Sequence, residues 1–372
     1  MYIHVYPNPP LGTRYAHLQE FLARAGEPAY RLNQLVRAVH DRGVRQFADV
    51  TDLPLRLRRA LATEFGPSFG PLTPVATERG AQVEKVLFQS ARGARIETVL
   101  ATYRAGWTSL CVSSQVGCGL GCTFCATGAV GLVRNLTADE ICDQVLHFER
   151  VDSVAFMGMG EALANPHTFT ALSLLTDPHY HGVSPRRVTV STVGFAPGMR
   201  RLTREFPHVN LTLSVHSADE DQRAELIPLQ RRFPLAECLE VLDEHTVTGG
   251  RKAYLAYLLA DGYNDSPAHV QALADLVAAR RRPELFHVSV IAYNEAAGAR
   301  PDLRRPSAAG VEAFVAALRA AGVRATRRQQ FGRDLAAACG QLHARYLTRN
   351  VPIGRTAGTG PGGRTSLDIT ER

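Results

Sequence analysis

Strand-like and helix-like segments alternate along the chain after about residue 107. Apolar stretches predict strands at 152–157, 187–191, 209–215, 253–259 and 286–292, and helical stretches are predicted near 137–149, 166–176, 234–245, 267–279 and 309–321. Such alternation is typical of a parallel sheet whose strands are joined by crossover helices. The sequence therefore predicts an α/β fold, built either as a barrel or as a doubly wound sheet.

The first 75 residues predict a small helical domain. Tyr15, Leu18 and Leu22 repeat at helical spacing, a second apolar stripe follows Pro28, and a third helix is predicted over 54–65. Seven arginines fall on or between the polar sides of these helices: Arg31, Arg37, Arg42, Arg45, Arg56, Arg58 and Arg59. A basic helical face is either simply solvated or binds an RNA backbone, so both interpretations stay open for residues 1–75.

A β-hairpin and a tail complete the predicted organisation. Two strand-like runs at 83–88 and 96–100 flank the turn residues Arg92-Gly93 and predict a hairpin extension over 76–106. The alternating core then occupies 107–345. The glycine-rich segment 346–372 predicts a disordered tail.

Composition limits the environment in which this chain works. The net charge of +7 suits a polyanionic partner, although only two of the 42 basic residues are lysines, and an arginine bias also arises from a GC-rich genome. No apolar run is long enough to predict a membrane span, and the segment 1–4 does not resemble the start of a signal peptide. The expected location is the cytoplasm, where thiols stay reduced. The seven cysteines therefore need an account other than a framework of disulfides.

Three of these cysteines lie within eight residues, in Cys118-Gly-Leu-Gly-Cys122-Thr-Phe-Cys125. A disulfide would leave one of them unpaired, and a structural zinc site needs a fourth ligand, for which no second Cys-x-x-Cys or His pair exists. Cysteine thiolates also hold iron–sulfur clusters, and three ligands on a four-iron cluster leave one iron open for chemistry. The spacing favours an iron–sulfur cluster over both alternatives.

This loop, with Phe124 before its last cysteine, resembles the signature of the radical S-adenosylmethionine (SAM) superfamily. The resemblance implies a [4Fe-4S] cluster held by Cys118, Cys122 and Cys125, with SAM bound at the open iron. It also implies a partial (β/α)6 barrel, to which the helical domain and the hairpin would be additions.

Further motifs are similar to one branch, the Cfr/RlmN family of radical SAM 23S rRNA adenine methyltransferases. The similarity runs from about Gly26 to Leu342. Its motifs are Cys111-Val-Ser-Ser-Gln-Val-Gly-Cys118, Phe156-Met-Gly-Met-Gly-Glu161, Ser191-Thr-Val-Gly194, Leu213-Ser-Val-His216 and Ala338-Cys339-Gly-Gln-Leu342. The resemblance implies methylation of an adenine carbon near the peptidyl-transferase centre of 23S rRNA. A radical route suits this target, because C2 and C8 of adenine are not nucleophiles and cannot attack SAM directly.

The resemblance also assigns roles to three catalytic residues. Cys339 aligns with the cysteine that accepts a methyl group and carries it to the RNA as S-methylcysteine. Cys111 aligns with the cysteine that attacks Cys339 and releases the product by forming a disulfide, a step that requires thiolate character and access. Glu97 aligns with the acceptor of the proton that leaves the ring carbon. Without the resemblance, Cys111 would be interpreted as a buried strand cysteine, and Cys339 and Glu97 as structural residues.

Seven residues align with the family's SAM contacts: Gly160, Glu161, Ser191, Ser214, Val215, His216 and Asn294. Glu161 would face the ammonium group of SAM, and Val215 would act through its backbone. All seven are predicted at or just after strand ends, where α/β folds bind ligands. Taken singly each is a weak indication, and His216 has the alternative of a hydrogen-bonded core histidine.

The family contains C8 and C2 enzymes, and several segments here are more similar to the C8 branch. They include Gly160-Glu161-Ala-Leu-Ala-Asn165, 183–187, 206–212 and 330–332. The C2 enzyme, acting on rRNA or tRNA, is the first alternative, and a non-catalytic iron–sulfur RNA-binding protein is the second. A radical SAM enzyme for a small molecule or peptide is a third. The expected partners are 23S rRNA and an electron donor such as flavodoxin or ferredoxin, and the expected state is a monomer.

Overall fold

The computed structural model of the protein describes residues 9–332, 335 and 340–342. Two features expected from the sequence, Cys339 and the tail at 346–372, lie outside the described residues. No helix within the described ranges combines the length with the apolar character that a membrane crossing requires.

Three helices form the N-terminal segment, as predicted: α1 (Arg14–Arg24), α2 (Tyr30–His40) and α3 (Leu55–Phe65). Their apolar stripes are buried, with Leu18, Leu35 and Leu61 fully covered. Thr13 caps the N-terminus of α1, because its side-chain oxygen accepts a hydrogen bond from the backbone N–H of Ala16. The predicted stripes are confirmed as the faces that hold the three helices together.

A ten-stranded sheet runs through the molecule, and its first edge is antiparallel. β1 (Leu72–Arg79), β2 (Val83–Ser90) and β3 (Arg95–Thr102) form a meander, and β3 pairs antiparallel with β4 (Thr108–Val112). The predicted hairpin is confirmed as β2 and β3, and it belongs to the same sheet as the core strands. Sequence analysis missed β1, because most of this edge strand is exposed and shows no alternation of apolar and polar residues.

The remaining strands of the large sheet are parallel to β4. They are β7 (Ser153–Phe156), β8 (Val188–Thr192), β9 (Asn210–Ser214), β10 (Ala253–Leu259), β11 (Phe286–Ala292) and β12 (Ala325–Arg327), in that spatial order. All five predicted core strands are confirmed. Between β4 and β7 a small antiparallel pair, β5 (Gln115–Cys118) and β6 (Gly131–Asn135), flanks α4 (Ala126–Val130). This pair was not predicted, since each of its strands is too short for a clear period.

Helices cover the outside of the parallel strands. They are α5 (Ala138–Leu146), α6 (His167–Thr176), α7 (Ala196–Glu205), α8 (Glu220–Leu226), α9 (Leu235–Gly249), α10 (Pro267–Ala278) and α11 (Ala308–Ala320). Short 3-10 turns occur at Phe47–Asp49, Ala162–Ala164, Pro185–Arg187, Pro228–Arg231 and Pro283–Leu285. Six strand–helix units therefore follow one another before β12, which confirms the expected partial (β/α)6 barrel.

Sequence analysis missed α7 and α8 in the connections around β9. α7 carries Pro197 and Gly198 in its first turn, a pair more typical of loops. α8 has only seven residues and is held by Asp219, whose side chain accepts from the N–H of Gln222. Both helices were missed because their helical apolar patterns are short and the turn residues in or beside them predict loops.

The N-terminal helices pack on the outside of the barrel through α5. The backbone N–H of Arg14 donates to Asp139 at 2.8 Å, and that of Leu72 donates to Asp143 at 2.9 Å. The Tyr15 ring lies 4.5 Å from that of Tyr180. These contacts leave the carboxyl ends of the parallel strands open on the other side, where the predicted SAM-contacting residues are found.

Candidate active site

A cavity of about 890 Å³, counted to its open mouth, lies at the carboxyl ends of the parallel strands. Seven residues predicted for the site lie in its wall: Cys125, Gly160, Glu161, Ser191, Ser214, His216 and Asn294. The structure thus brings together residues that are up to about 170 positions apart, and this space is called the strand-end cavity below.

The turn after β7 fits the cavity only with glycine at position 160. Gly160 has a φ of +100°, and a Cβ there would lie 2.5 Å from the Cβ of Gln115. Gln115 also accepts a hydrogen bond from the N–H of Glu161 at 2.9 Å. The glycine therefore lets the turn pack directly on β5 and sets the position of Glu161.

Glu161 places a buried carboxylate in the cavity wall. Its oxygens accept from the N–H of Leu163 at 3.2 Å and from the N–H of Val193 at 3.0 Å. Burial nevertheless raises the pKa of Glu161 to about 7. A buried carboxylate of this kind gains most from a positively charged ligand, so the geometry suits an ammonium group.

Ser191 and Ser214 lie at the ends of β8 and β9, and both face the cavity. Val215 differs from them, because its side chain is fully buried and does not line the cavity. Its N–H donates to the carbonyl of Ala256 at 2.9 Å, and its carbonyl accepts from Arg223 at 3.2 Å. The backbone of Val215 is therefore engaged with the protein itself.

His216 is a neutral, strained histidine in the cavity wall. Its φ is +60°, the left-handed region that non-glycine residues seldom adopt. Its Nδ1 accepts from the N–H of Leu258 at 3.0 Å, and burial lowers its pKa to about 3. The ring proton is then on Nε2, which leaves a donor for a ligand. The His216 ring also meets the edge of Phe124 in the cysteine loop, with centroids 4.8 Å apart.

Asn294 follows β11 and carries an unsatisfied donor. Its side-chain oxygen accepts from Arg305, whereas its buried Nδ2 has no hydrogen-bond acceptor among the described residues. A buried polar group without a partner is costly. The amide therefore suits an acceptor on a bound molecule.

The three loop cysteines lie together beside this cavity. Cys118 ends β5, Cys122 is buried, and Cys125 immediately precedes α4. Burial raises the pKa of Cys118 to about 12, while the N–H groups of Leu120 and Glu161 donate to its sulfur and act in the opposite direction. Burial also raises the pKa of Cys122, and the other two thiols add to that effect.

Within the described ranges, no set of side chains is grouped closely enough to hold a single metal ion. A cluster places different requirements on its ligands, since each cysteine can bind a different iron. The chemistry of the donors fits a cluster, since they are three thiols from one loop and the last of them, Cys125, lines the strand-end cavity.

A second cavity of about 660 Å³ adjoins the first and opens on Cys111. Cys111 lies in β4 between Val99 of β3 and Ala155 of β7 in the register of the sheet. Cross-strand neighbours share one face, and all three residues line this space, called the Cys111 cavity below. Three residues belong to the walls of both cavities: Met157, Arg328 and Leu342.

Cys339, the predicted methyl acceptor, lies outside the described residues, but its neighbour Gly340 is in the wall of the strand-end cavity. The carbonyl of Gly340 accepts from the N–H of Ala126, and that of Leu342 accepts from the hydroxyl of Thr127 at 2.7 Å. Both partners belong to α4. The segment that follows Cys339 is therefore anchored beside Cys125.

The cysteines in the described ranges are free thiols: Cys111, Cys118, Cys122, Cys125, Cys142 and Cys238. Cys142 and Cys238 are buried within α5 and α9. The expected disulfide between Cys111 and Cys339 involves a residue that the structure does not describe.

Glu97 lies on β3, on the same face as Val99, but it is buried and is not among the residues that line the Cys111 cavity. Its carboxylate lies 3.5 Å from the Nζ of Lys85, which also contacts Glu78 at 3.1 Å. Lys85 donates to the carbonyl of Leu335 at 2.6 Å. One buried ammonium therefore joins the predicted proton acceptor to the C-terminal segment.

Sequence analysis missed Lys85 and Arg328 as candidate site residues. Lys85 is one of only two lysines among 42 basic residues, and this rarity was the only available signal for it. Arg328 follows β12, lies between the two cavities and places Nη2 2.6 Å from the sulfur of Met157. Because β12 is too short to be predicted, nothing in the sequence distinguished Arg328 from the many other arginines of the chain.

Comparison with known protein families covers much of the chain. The family model for the radical SAM superfamily matches residues 112–268, and that for the ribosomal RNA large subunit methyltransferase N-terminal domain matches residues 11–65. The second match coincides with the three N-terminal helices.

Curated relatives match almost from end to end. A ribosomal RNA large subunit methyltransferase Cfr from Shouchella clausii is 45% identical over 341 residues, which cover 91% of this chain and 97% of the relative. A protein of the same name from Staphylococcus aureus is 44% identical over 339 residues, covering 90% and 97%. A solved structure of a radical SAM methyltransferase from Sphaerobacter thermophilus superposes with a TM-score of 0.83 at 38% identity, covering 90% of this chain and 99% of that one.

Proposed function

Because the chain belongs to the Cfr/RlmN family of radical SAM ribosomal RNA large-subunit methyltransferases, we propose that it methylates a ring carbon of adenine in 23S rRNA. C8 is the favoured carbon, near the peptidyl-transferase centre. The observation that carries this proposal is the meeting of the two cavities at Met157, Arg328 and Leu342. A molecule bound in the strand-end cavity would thereby lie next to the space onto which Cys111 opens.

The strand-end cavity is proposed to bind SAM. Glu161 would accept a hydrogen bond from the ammonium group, and the unsatisfied Nδ2 of Asn294 and the Nε2 of neutral His216 would donate to oxygen or nitrogen acceptors. Ser191 and Ser214 would add hydroxyl contacts. Gly160 would set the turn, and Val215 would act indirectly by fixing the backbone before His216.

Cys118, Cys122 and Cys125 are proposed to hold the [4Fe-4S] cluster. The backbone N–H groups of Leu120 and Glu161 that donate to Cys118 would partly offset the cost of burying its thiolate form. When bound, the cluster supplies the electron that splits SAM into methionine and a 5′-deoxyadenosyl radical. The external electron donor would be a protein of the flavodoxin or ferredoxin type.

Three residues of this chain are proposed to move the methyl group and the proton. Cys339 would receive a methyl group on its sulfur and carry it to the ring carbon as S-methylcysteine. The Glu97 carboxylate would accept the proton that leaves that carbon. Cys111 would then attack the sulfur of Cys339, so that an S–S bond forms as the bond from sulfur to the product breaks. An external reductant would reset both thiols.

The N-terminal helical domain, residues 1–75, is proposed to bind the RNA backbone. The family match at 11–65 supports this role. Part of its positive charge is balanced within the domain, because Glu27 contacts both Arg31 and Arg56 and Asp52 contacts Arg42. The domain should therefore increase the affinity for RNA only moderately, and this contribution should decrease as the salt concentration rises.

The proposal is tested by anaerobic reconstitution with iron and sulfide, followed by turnover with methyl-labelled SAM and a 23S rRNA fragment. Mass spectrometry of the nucleosides is expected to give labelled 8-methyladenosine. Cys339→Ala should give none, whereas the matched control Cys142→Ala, which changes a buried cysteine of α5, should still methylate the fragment.

Other products of this experiment would contradict specific parts of the proposal. Labelled 2-methyladenosine would show the C2 branch instead. Cleavage of SAM with no label in the RNA would remove the RNA substrate and leave only radical SAM chemistry. A Cys339→Ala variant as active as the wild type would exclude the S-methylcysteine route.

A further inference from the structure

The turn between β3 and β4 stacks two aromatic rings. Tyr103 is the first residue of the turn Tyr103-Arg-Ala-Gly106, and Trp107 follows the turn. Within it, the N–H of Gly106 donates to the carbonyl of Tyr103 at 2.8 Å. The N–H of Tyr103 donates to the carbonyl of Trp107 at 2.9 Å. These bonds hold the rings face to face, with centroids 3.6 Å apart and planes inclined by 9°.

This stack is continuous with the Cys111 cavity. Tyr103 and Phe331 both line that cavity, and their rings meet edge to face with centroids 4.8 Å apart. Trp107 is the outer member of the group and is 41% exposed. An aromatic surface therefore extends from the cavity wall to solvent.

Cationic and amide side chains surround the aromatic group. Arg104 is exposed within the turn itself, and Arg328, Gln329 and Gln330 share the cavity wall with Phe331. Proteins that bind single-stranded nucleic acid combine a positive groove with aromatic rings on which bases stack. Both parts of that combination occur here at the mouth of one cavity.

We propose that Trp107 stacks on an unpaired nucleobase of the RNA substrate, adjacent to the adenine that enters the Cys111 cavity. Trp107 can take this role only if the chain acts on RNA, as proposed above. An adenine whose ring carbon is to react must leave its stack, and a neighbouring base then loses a stacking partner. The exposed face of Trp107 replaces that partner, while Tyr103 and Phe331 hold the indole ring in place.

A purely structural role for Trp107 would require less of this arrangement. Tyr103 already packs on Phe331 in the cavity wall. If Trp107 served only to support Tyr103, its ring would not need to keep so much of its surface in solvent. Tryptophan is enriched at interfaces, where its large ring surface contributes to binding. The position of Trp107, partly exposed and stacked on Tyr103 of the cavity wall, indicates such a binding role.

Fluorescence tests the proposal directly, because Trp107 is the only tryptophan in the sequence. The full-length, cluster-loaded protein is titrated with a 23S rRNA stem-loop fragment and, separately, with a perfect RNA duplex of equal length. The stem-loop is expected to quench the emission and to shield the indole from acrylamide. The duplex, whose bases are already stacked, should do neither.

Variants give a second and independent measurement by filter binding. Trp107→Leu should weaken binding of the stem-loop by about 5- to 150-fold, the range for loss of one base–aromatic stack. Trp107→Phe keeps an aromatic face and should lose less than about 5-fold. Val247→Ala changes an exposed apolar residue of α9 and should bind as the wild type does.

The outcomes separate this inference from the proposed function. Methylation of the stem-loop without any protection of Trp107, or equal affinity of Trp107→Leu and wild type, overturns the stacking role alone. If the wild type neither binds nor methylates the RNA, the stacking role and the proposed function both fail. Quenching by the stem-loop together with the loss in Trp107→Leu supports the base-stacking site.

Discussion

The strand-end cavity and the Cys111 cavity share one wall but are built in different ways. Residues at the ends of β7, β8, β9 and β11 surround the first, each followed by the turn that completes its motif. The second is built on side chains that alternate along β3 and β4, together with residues after β12. A site made from strand ends can be recognised from short contiguous motifs, whereas a site made from the face of a sheet cannot.

The two cavities also differ in chemistry. Polar groups that suit a charged ligand lie in the first, namely a buried carboxylate, a neutral imidazole and an amide nitrogen that has no partner within the described part of the chain. A thiol, aromatic rings and an arginine line the second. The first therefore agrees with the proposed SAM site, and the second agrees with the proposed site for the nucleobase.

Changing one cysteine of the loop 118–125 and the cysteine of the Cys111 cavity should separate the two functions most clearly. Cys122→Ser removes a proposed cluster ligand, so the brown cluster absorbance and RNA methylation should both be lost. Cys111→Ala should still load the cluster, but the RNA should remain covalently attached to the protein because the resolving thiol is missing. Absorbance spectra and denaturing gels of the protein–RNA adduct distinguish these results. Loss of the cluster in Cys111→Ala would contradict the proposal that the two cavities have separate functions.

Lys85→Met should produce the next largest effect, confined to the Cys111 side. Removing the ammonium 3.5 Å from Glu97 would take away the cation that holds the predicted proton acceptor in position, so methylation should decrease by about 100-fold. Lys252→Met, which changes the exposed second lysine, is the matched control.

A second pair of variants separates catalysis from folding at Lys85. Breaking a buried ion pair is strongly destabilising, by about 3–5 kcal/mol, whereas replacing both partners is often tolerated. Lys85→Met combined with Glu97→Gln should therefore recover thermal stability without recovering methylation. Recovery of both would show that the pair serves the fold alone.

Gly160→Ala should have a similar or smaller effect, confined to the strand-end cavity. Its Cβ would lie 2.5 Å from Gln115, so the turn must shift, and SAM affinity should decrease by about 5- to 150-fold, equivalent to about 1–3 kcal/mol of overpacking. Gly250→Ala is the control, because Gly250 also has a positive φ but open space around its Cβ. Equilibrium dialysis with SAM measures both. Equal losses in the two variants would exclude the close packing on Gln115 as the cause.

The sequence determined the fold class because strand and helix periods are local properties. The core strands and the hairpin β2–β3 were found from apolar runs and turn residues within a few positions. The missed elements, such as β1, α7 and α8, are short, exposed or begin with Pro and Gly. In those segments the tertiary contacts stabilise a structure that the local signals do not favour.

The sequence by itself also determined most of the strand-end cavity, since Gly160-Glu161 and Ser214-Val215-His216 are contiguous motifs at strand ends. Only the tertiary structure decided that Val215 lies behind the wall, that the Nδ2 of Asn294 has no partner among the described residues, and that Lys85 links Glu97 to Leu335. It alone brought Phe331 against Tyr103, on which Trp107 stacks. The physical reason is that hydrogen-bond satisfaction, burial and cross-strand contact depend on residues far apart in sequence, which only the sheet register brings together.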